Sequence, residues 1–172
     1  ARLERWLQLC SEHNMQVVMM SEASQMFHVL RRQVMRPYRK PLVIFMSKRL
    51  LRFKGSMSDL SQFTEGSGFR TVISDAVERD DAKVKRIVLC AGQVYYDLAA
   101  GRKERGKEEE VAIVRVEQLY PFPYEVLAAE LSRYTNATEI MWTQEEPKNQ
   151  GAWYQIRHRI EAVSTDEQKV LF

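Results

Sequence analysis

The sequence is poor in the residues that mark disulfide-rich, fibrous or membrane proteins. Its 172 residues include two cysteines, five prolines and seven glycines. No apolar run approaches the roughly 20 residues of a membrane-spanning helix, so no membrane association is predicted. An apolar fraction of 45% and a charged fraction of 28% are typical of a globular protein. Cys10 and Cys90 stand far apart in apolar settings, which favours buried free thiols over a disulfide or a metal site.

Acidic residues are absent from one long stretch, residues 23–58. This stretch holds nine of the 26 basic residues, namely Arg31, Arg32, Arg36, Arg39, Lys40, Lys48, Arg49, Arg52 and Lys54. Such a block raises the local potential for a carboxylate, a phosphate or nucleic acid. A solvated face or a contact with an acidic neighbour explains it equally well. Nucleic acid is disfavoured because the arginines flank core-like stretches and no RNA-binding aromatic motif accompanies them.

Strand and helix patterns alternate along the chain. Helices are predicted over residues 3–10, 22–36, 93–106, 124–134 and 150–162, and strands over 15–20, 41–46, 69–74, 84–92, 111–119 and 138–146. The run at 41–46 is continuously apolar, as expected for a strand covered on both faces. This alternation predicts an α/β fold with a mostly parallel sheet and helices on both faces.

Two further segments bear on the organisation of the chain. Residues 53–68, "FKGSMSDLSQFTEGSG", are rich in Gly and Ser and are predicted to be a linker. The chain opens without Met and stops at the apolar "QKVLF", which resembles the beginning of an unpaired strand. We therefore expect a piece of a larger protein.

The segment "IMWTQEEPKNQGAW" contains two adjacent carboxylates at the predicted end of a strand. Neighbouring residues on a strand point to opposite faces, so Glu145 and Glu146 are not expected to act as an acid/base pair. Asn149 is positioned to cap the following helix, and Gly151 allows the helix start to pack closely. The sequence predicts a structural strand-to-helix corner, near a subunit contact, rather than a catalytic site.

The histidines offer one candidate ligand. His13, His28 and His158 lack metal-ligand spacing, and no phosphate-binding loop, dinucleotide fingerprint or nucleophile elbow is present. His28 precedes Arg31 and Arg32 by three and four residues, so the imidazole and one guanidinium can share a helix face. A packed core histidine is an equally good interpretation of this pattern.

Three segments carry a resemblance to a known family. "QMFHVLRRQVMRPYRKPLVIF", "VAIVRVEQLYPFP" and "QEEPKNQGAW" resemble, in this order, the C-terminal part of the thiamine-diphosphate-dependent decarboxylating component of 2-oxoglutarate dehydrogenase. The resemblance covers nearly the whole chain. It implies a transketolase-like pyrimidine-binding tail (1–52), a linker (53–68) and a transketolase C-terminal-like domain (69–172). The last of these would be a three-layer α/β/α sandwich, truncated at its end.

The resemblance also implies an activity. The parent protein would oxidatively decarboxylate 2-oxoglutarate in the tricarboxylic acid cycle and pass the succinyl group to lipoyl groups. It would use thiamine diphosphate and Mg²⁺, bound mostly by upstream residues, and the isolated chain would be an inactive structural, dimerisation and regulatory piece. The implied partners are a second subunit, dihydrolipoyl succinyltransferase and dihydrolipoyl dehydrogenase, in the bacterial cytoplasm or the mitochondrial matrix. A 2-oxoadipate relative and a stand-alone module binding an anionic metabolite are the alternatives.

Site residues follow from the same resemblance. His28 matches the histidine of the family's FH-x-LRR motif, which contacts the 2-oxoacid, and no catalytic residue is expected in this chain. Gln93 and Gln144 fall in a regulatory site for acetyl-CoA or a nucleotide. Met46, Ser61 and Gln93 stand where a Thr, an Arg and a Lys are found, so the sequence departs from the family at that site.

Overall fold

Helices and strands alternate along the chain, whose computed structural model describes residues 2–172. The α-helices are α1 (Leu3–Gln8), α2 (Ala23–Met35), α3 (Val94–Glu104), α4 (Tyr124–Leu131) and α5 (Trp153–Glu161). The strands are β1 (Gln16–Met19), β2 (Leu42–Phe45), β3 (Val72–Ile73), β4 (Arg86–Cys90), β5 (Val111–Val116), β6 (Gln118–Tyr120), β7 (Glu139–Thr143) and β8 (Lys169–Leu171). Within this range no helix has both the length and the apolar character that a membrane crossing requires.

Five strands form the larger sheet, in the order β3-β5-β4-β7-β8. The last four of these run parallel to one another, and β3 pairs antiparallel with β5. Side chains alternate across the sheet: Ile87 and Leu89 of β4 pack in a core with residues of α4 and α5, whereas Val88 and Cys90 pack with α3. Helices therefore cover both faces, and the predicted three-layer α/β/α sandwich is confirmed.

Three strands form the smaller sheet, in the order β2-β1-β6. β1, α2 and β2 make a βαβ unit with parallel strands, and β6 pairs antiparallel with β1. The apolar run at 41–46 is packed on both faces, as predicted, but only in part: Val43 and Phe45 lie against the main core, and Leu42 and Ile44 lie against a second cluster beneath α2. Within residues 2–172, β2 pairs with β1 alone, and all four of its residues are only half-buried.

The predicted strand 111–119 is two strands in the structure. β5 ends at Val116 in the larger sheet and β6 begins at Gln118 in the smaller one. At the crossing, the amides of Glu117 and Gln118 both donate to the carbonyl of Thr71, at 2.9 and 3.2 Å. Both halves of the run are buried, so apolar pattern alone could not divide it. The acidic residue inside the run marks the division.

Boundaries near the strand-to-helix corner also differ from the prediction. β7 ends at Thr143, so residues 144–146 form a bend and not the end of a strand. α5 begins at Trp153 and its N-cap residue is Ala152, so the prediction that Asn149 caps this helix is wrong. The apolar tail is not unpaired either, because β8 lies parallel to β7.

The buried face of helix α2 is not the face on which most of its apolar residues lie. Its buried residues are Ser24, Gln25, His28 and Val29. The helically spaced Phe27, Leu30 and Val34 are 44%, 49% and 69% exposed. Apolar periodicity thus predicted the helix correctly, but the polar residues lie against the rest of the chain.

Candidate functional site

His28 lies in the middle of α2, and its side chain is turned inward. The residue is 3% exposed. Its Nε2 lies 2.7 Å from the carbonyl oxygen of Gln62, and since a carbonyl only accepts, this ring nitrogen is the donor. Nδ1 is buried and has no hydrogen-bond partner within residues 2–172. Nε2 is therefore hydrogen-bonded to the linker, whereas Nδ1, an acceptor in this tautomer, has no partner in this part of the chain.

The linker covers His28 through a short 3-10 helix at Leu60–Phe63. Just before it, the hydroxyl oxygen of Ser58 accepts from the amide of Ser24 at 2.9 Å. At its end, the ring of Phe63 packs edge-on against Phe27, with ring centroids 5.5 Å apart. These contacts and the bond to His28 fasten the linker along the first two turns of α2.

The arginines that follow His28 do not complete an anion site with it. Arg32 is half-buried and donates to Gln118 at 2.7 Å and to Gln16 at 3.1 Å, in the smaller sheet. Arg36 donates to the same oxygen of Gln16 at 2.7 Å. Burial lowers the pKa of Arg32 to about 10, and the positive charge of Arg36 adds to the effect. Part of the basic block therefore holds strands together rather than forming a solvated face.

Gln144 occupies the corner between β7 and α5. Its Oε1 accepts from Trp142 Nε1 at 2.9 Å and from the amides of Ala152 and Trp153 at 3.1 and 3.2 Å. Its Nε2 donates to three carbonyl oxygens of the loop before Gly151, those of Glu146, Pro147 and Gln150. The side chain thus provides the helix cap that was expected from Asn149, and its hydrogen-bonding capacity is fully used.

Gln93 lies near Gln144 in the fold, because β4 and β7 are neighbouring parallel strands and both residues follow their carboxyl ends. Its Oε1 accepts from the hydroxyl of Ser47, and its Nε2 donates to the carboxylate of Glu145. Gln93 therefore links the segment after β2 to the corner. Glu145 is exposed, and its contact here is an amide rather than a second carboxylate.

A buried charged cluster lies where the two sheets meet, and the sequence analysis missed it. Glu117 is fully buried and accepts from the amide and hydroxyl of Ser21, at 2.9 and 2.6 Å. Arg115 donates to the Ser21 hydroxyl and to Glu22, both at 2.9 Å, and the hydroxyl of Tyr96 donates to the Ser21 carbonyl at 2.7 Å. Burial raises the pKa of Glu117, while Arg115 opposes the shift. The two charges inside the apolar run 111–119 were the signal that could have revealed this cluster.

An apolar cavity of about 380 Å³ lies beside this cluster. Its wall includes Met20, Met26, Met46, Phe53 and Met57, with Glu22 at one side. Met46 thus belongs to this apolar wall, whereas Ser61 is exposed on the 3-10 helix that covers α2. Neither side chain is charged, so neither supplies a cation.

Comparison with known proteins gives the family of the chain. Residues 57–171 match the family model described as 2-oxoglutarate dehydrogenase C-terminal, and residues 1–54 match the transketolase pyrimidine binding domain. The chain belongs to the 2-oxoglutarate dehydrogenase C-terminal family. The resemblance drawn from the three sequence segments is confirmed.

Individual relatives agree with the family models. The chain is 54% identical over 170 residues to the 2-oxoglutarate dehydrogenase E1 component of Cupriavidus necator, which covers 99% of this chain. It is 52% identical over 169 residues to the protein of the same name from Coxiella burnetii, and 51% identical over 172 residues to that of Azotobacter vinelandii. The chain spans 18% of the length of each of these relatives.

Proposed function

We propose that this chain is the C-terminal part of a 2-oxoglutarate dehydrogenase E1 component. The parent enzyme oxidatively decarboxylates 2-oxoglutarate and transfers the succinyl group to lipoyl groups of the complex. The identity of 54% across 99% of the chain to a protein of that name is the observation that carries this proposal. A domain division at residues 53–68 belongs to the proposal. The two matched family models, which end at residue 54 and begin at residue 57, support a boundary near the start of this segment.

The proposed parent enzyme depends on thiamine diphosphate, as the match to a transketolase pyrimidine binding domain suggests. We expect the Mg²⁺ that would accompany the diphosphate to be held by residues upstream of this chain. Within residues 2–172, no three side chains among His, Cys, Asp and Glu are grouped as metal ligands. We therefore assign no step of cofactor chemistry to this chain, and the isolated chain is expected to be inactive with 2-oxoglutarate.

His28 is the residue that we assign to the substrate. An imidazole N–H can donate to a carboxylate of the 2-oxoacid in a charge-assisted hydrogen bond, which is stronger than one to a neutral acceptor. Burial supports this role, because a hydrogen bond to an ion is screened less by water inside the protein. His13 and His158 are both exposed and have no comparable environment.

Steady-state kinetics of His28→Ala in the full-length enzyme tests this assignment. The loss of one charge-assisted hydrogen bond removes about 1.5–3 kcal/mol, so kcat/KM for 2-oxoglutarate should fall roughly ten- to a hundredfold. A shorter 2-oxoacid compared in parallel shows whether the lost contact is to the distal carboxylate. His158→Ala, on the exposed face of α5, is the matched control. An unchanged kcat/KM in His28→Ala would leave His28 as a packed histidine.

Regulation at Gln93 and Gln144 is a weaker part of the proposal. Gln144 has no hydrogen-bonding capacity left for a ligand, since its amide caps α5 and holds the preceding loop. Gln93 is half-buried, and only one of the two N–H donors of its amide is used, in the bond to Glu145, so the second could donate to a ligand. The geometry therefore supports Gln93 over Gln144 as a contact for acetyl-CoA or a nucleotide.

The proposed assembly follows that of an E1 component. It is a homodimer that works with dihydrolipoyl succinyltransferase and dihydrolipoyl dehydrogenase. Because the named relatives are bacterial proteins, the proposed location is the bacterial cytoplasm. Their shared name supports 2-oxoglutarate over 2-oxoadipate as the substrate, and the length of those relatives supports an enzyme component over a stand-alone binding module.

A further inference from the structure

The segment at residues 58–63, which we call the strap, closes over His28. Two hydrogen bonds hold it on α2, in addition to the contact of Phe63 with Phe27. Ser58 Oγ accepts from the amide of Ser24 at 2.9 Å, and the carbonyl of Gln62 accepts from His28 Nε2, 2.7 Å away. The second contact uses the N–H that a substrate carboxylate would need. The strap and an anionic ligand therefore compete for the same proton donor.

The strap is lightly packed compared with the helix beneath it. None of the residues of the 3-10 helix Leu60–Phe63 is buried, and Leu60 is 81% exposed. An internal hydrogen bond from the amide of Gln62 to the carbonyl of Asp59, at 2.9 Å, keeps the turn together as a unit. Gly66 follows in the left-handed region at φ 85°, and a Cβ added there would meet no atom of residues 2–172 within 4 Å. A segment with few buried contacts and a glycine beside it opens at a low free energy.

We propose that the strap is a lid over the substrate-binding histidine, and that a 2-oxoacid carboxylate takes the place of the Gln62 carbonyl on His28 Nε2. The inference rests on the proposed role of His28. The exchange requires no change of tautomer, because the same N–H donates before and after. It is favourable because the new acceptor is charged and the old one is neutral. With the strap closed His28 is 3% exposed, so a carboxylate has no route to it.

A reversible tether tests whether the strap must open. Ser24→Cys combined with Ser58→Cys joins the strap to α2, because the 2.9 Å between Ser24 N and Ser58 Oγ places the two Cα atoms within roughly 7 Å, near the range of natural disulfides. The variant is made in the full-length enzyme, and each single cysteine variant under oxidant is a control. His28 is labelled with diethyl pyrocarbonate and its peptide is quantified by mass spectrometry. This readout does not depend on turnover.

With the disulfide formed, labelling of His28 and kcat/KM for 2-oxoglutarate should both fall at least tenfold, and dithiothreitol should restore both. The double variant Ser58→Ala with Phe63→Ala loosens the strap instead. It removes the hydrogen bond from the Ser24 amide and the contact with Phe27. This pair should raise His28 labelling severalfold. Leu60→Ala, in the same strap but exposed, should leave labelling unchanged.

The outcomes separate the lid from the substrate role of His28. If labelling is the same with the strap tethered, free or loosened, the strap is not a lid and the inference is overturned. If labelling follows the tether but His28→Ala has full kcat/KM, the substrate role fails, and with it the reason for the lid. If labelling follows the tether and His28→Ala lowers kcat/KM, tethering the strap in the His28→Ala variant should lower kcat/KM little further. The two changes remove the same contact.

Discussion

Two residues proposed for binding, Gln144 beside the larger sheet and His28 beside the smaller one, differ in how completely their own side chains are hydrogen-bonded. Around the larger sheet, the buried carboxylate of Asp75 pairs with Arg79 and Arg102, and the amide of Gln144 uses both its oxygen and its nitrogen at the corner before α5. Beside the smaller sheet, His28 Nδ1 is buried without a partner. Buried nitrogens without a partner in the described part of the chain also lie beside the larger sheet, on Arg79, Arg102 and Trp153, so the difference is between these two residues and not between the sheets.

This difference separates the residues that the sequence proposed for binding. A side chain whose donors and acceptors all have partners must break them to hold a ligand, and Gln144 is such a side chain. The donating nitrogen of His28, Nε2, has a single partner on a lightly packed segment, and Nδ1, an acceptor in this tautomer, has none within residues 2–172. The comparison therefore supports a structural role for Gln144 and agrees with the substrate role that we propose for His28. Substitutions beside the larger sheet and on α2 test how these two regions are built.

The largest effect is expected at Asp75. Its side chain is 2% exposed, and those of Arg79 and Arg102 are 1% and 5% exposed. Asp75→Asn leaves two buried guanidinium groups without a counter-charge, so the free energy of unfolding should fall by about 3–5 kcal/mol. Urea denaturation of the chain measures it. Asp97→Asn is the control, because its pair with Arg49 is exposed and should contribute within about 0.5 kcal/mol.

The carboxyl of Asp75 also makes the free energy of unfolding depend on pH. Burial disfavours its ionisation, but hydrogen bonds from Arg102, from the amides of Ile113 and Val77 and from Arg79 outweigh burial and hold the pKa of Asp75 below its usual 3.8. A lowered pKa contributes stability above the unfolded value, and this contribution is lost as the pH falls through the folded pKa. Denaturation from pH 7 to pH 2 should therefore narrow the gap between the native chain and Asp75→Asn. A constant gap would contradict this account.

The second-largest effect on the free energy of unfolding is expected at the corner between β7 and α5. Gly151 has a φ of 71°, and a Cβ there would lie 2.6 to 2.8 Å from the amide atoms of Gln144. Gly151→Ala should lower the free energy of unfolding by about 2–4 kcal/mol, through backbone strain and displacement of the cap. Gly66→Ala is matched in backbone, with a φ of 85°, but its Cβ would meet no atom within 4 Å. Equal losses in the two variants would mean that contact with Gln144 adds nothing.

The order of elements could be predicted from the sequence because apolar runs mark strands and apolar spacing marks helices, even in α2, where the spaced apolar residues are exposed. Buried runs gave the strands of the larger sheet, and helical spacing gave α2. Pattern could not divide the run 111–119, since both halves are buried in different sheets. It could not identify the cap either, because Gln144 reaches the start of α5 from the end of β7 in three dimensions. Local capping rules favoured Asn149, the wrong residue.

The candidate site was predicted only in part, for a similar reason. The residues pointed to His28 as one of two equal interpretations, and the resemblance chose between them. Nothing in the local sequence showed that Gln62, 34 positions away, would bind its ring. The buried cluster around Glu117 depends on Ser21, 96 positions away. Long-range polar contacts of this kind leave no periodic signal in a sequence.

The smallest effect concerns the exposed face of α2. Val29 is 1% exposed and Val34 is 69% exposed on the same helix. Val29→Ala opens a cavity in the core beneath the helix and should lower the free energy of unfolding by about 2 kcal/mol. Val34→Ala removes little buried area and gains helix propensity, so its effect should stay within about 0.5 kcal/mol. Urea denaturation of both variants measures the difference. If Val34→Ala cost as much as Val29→Ala, the apolar stripe would be buried after all, and α2 would have to be rotated so that His28 faces solvent.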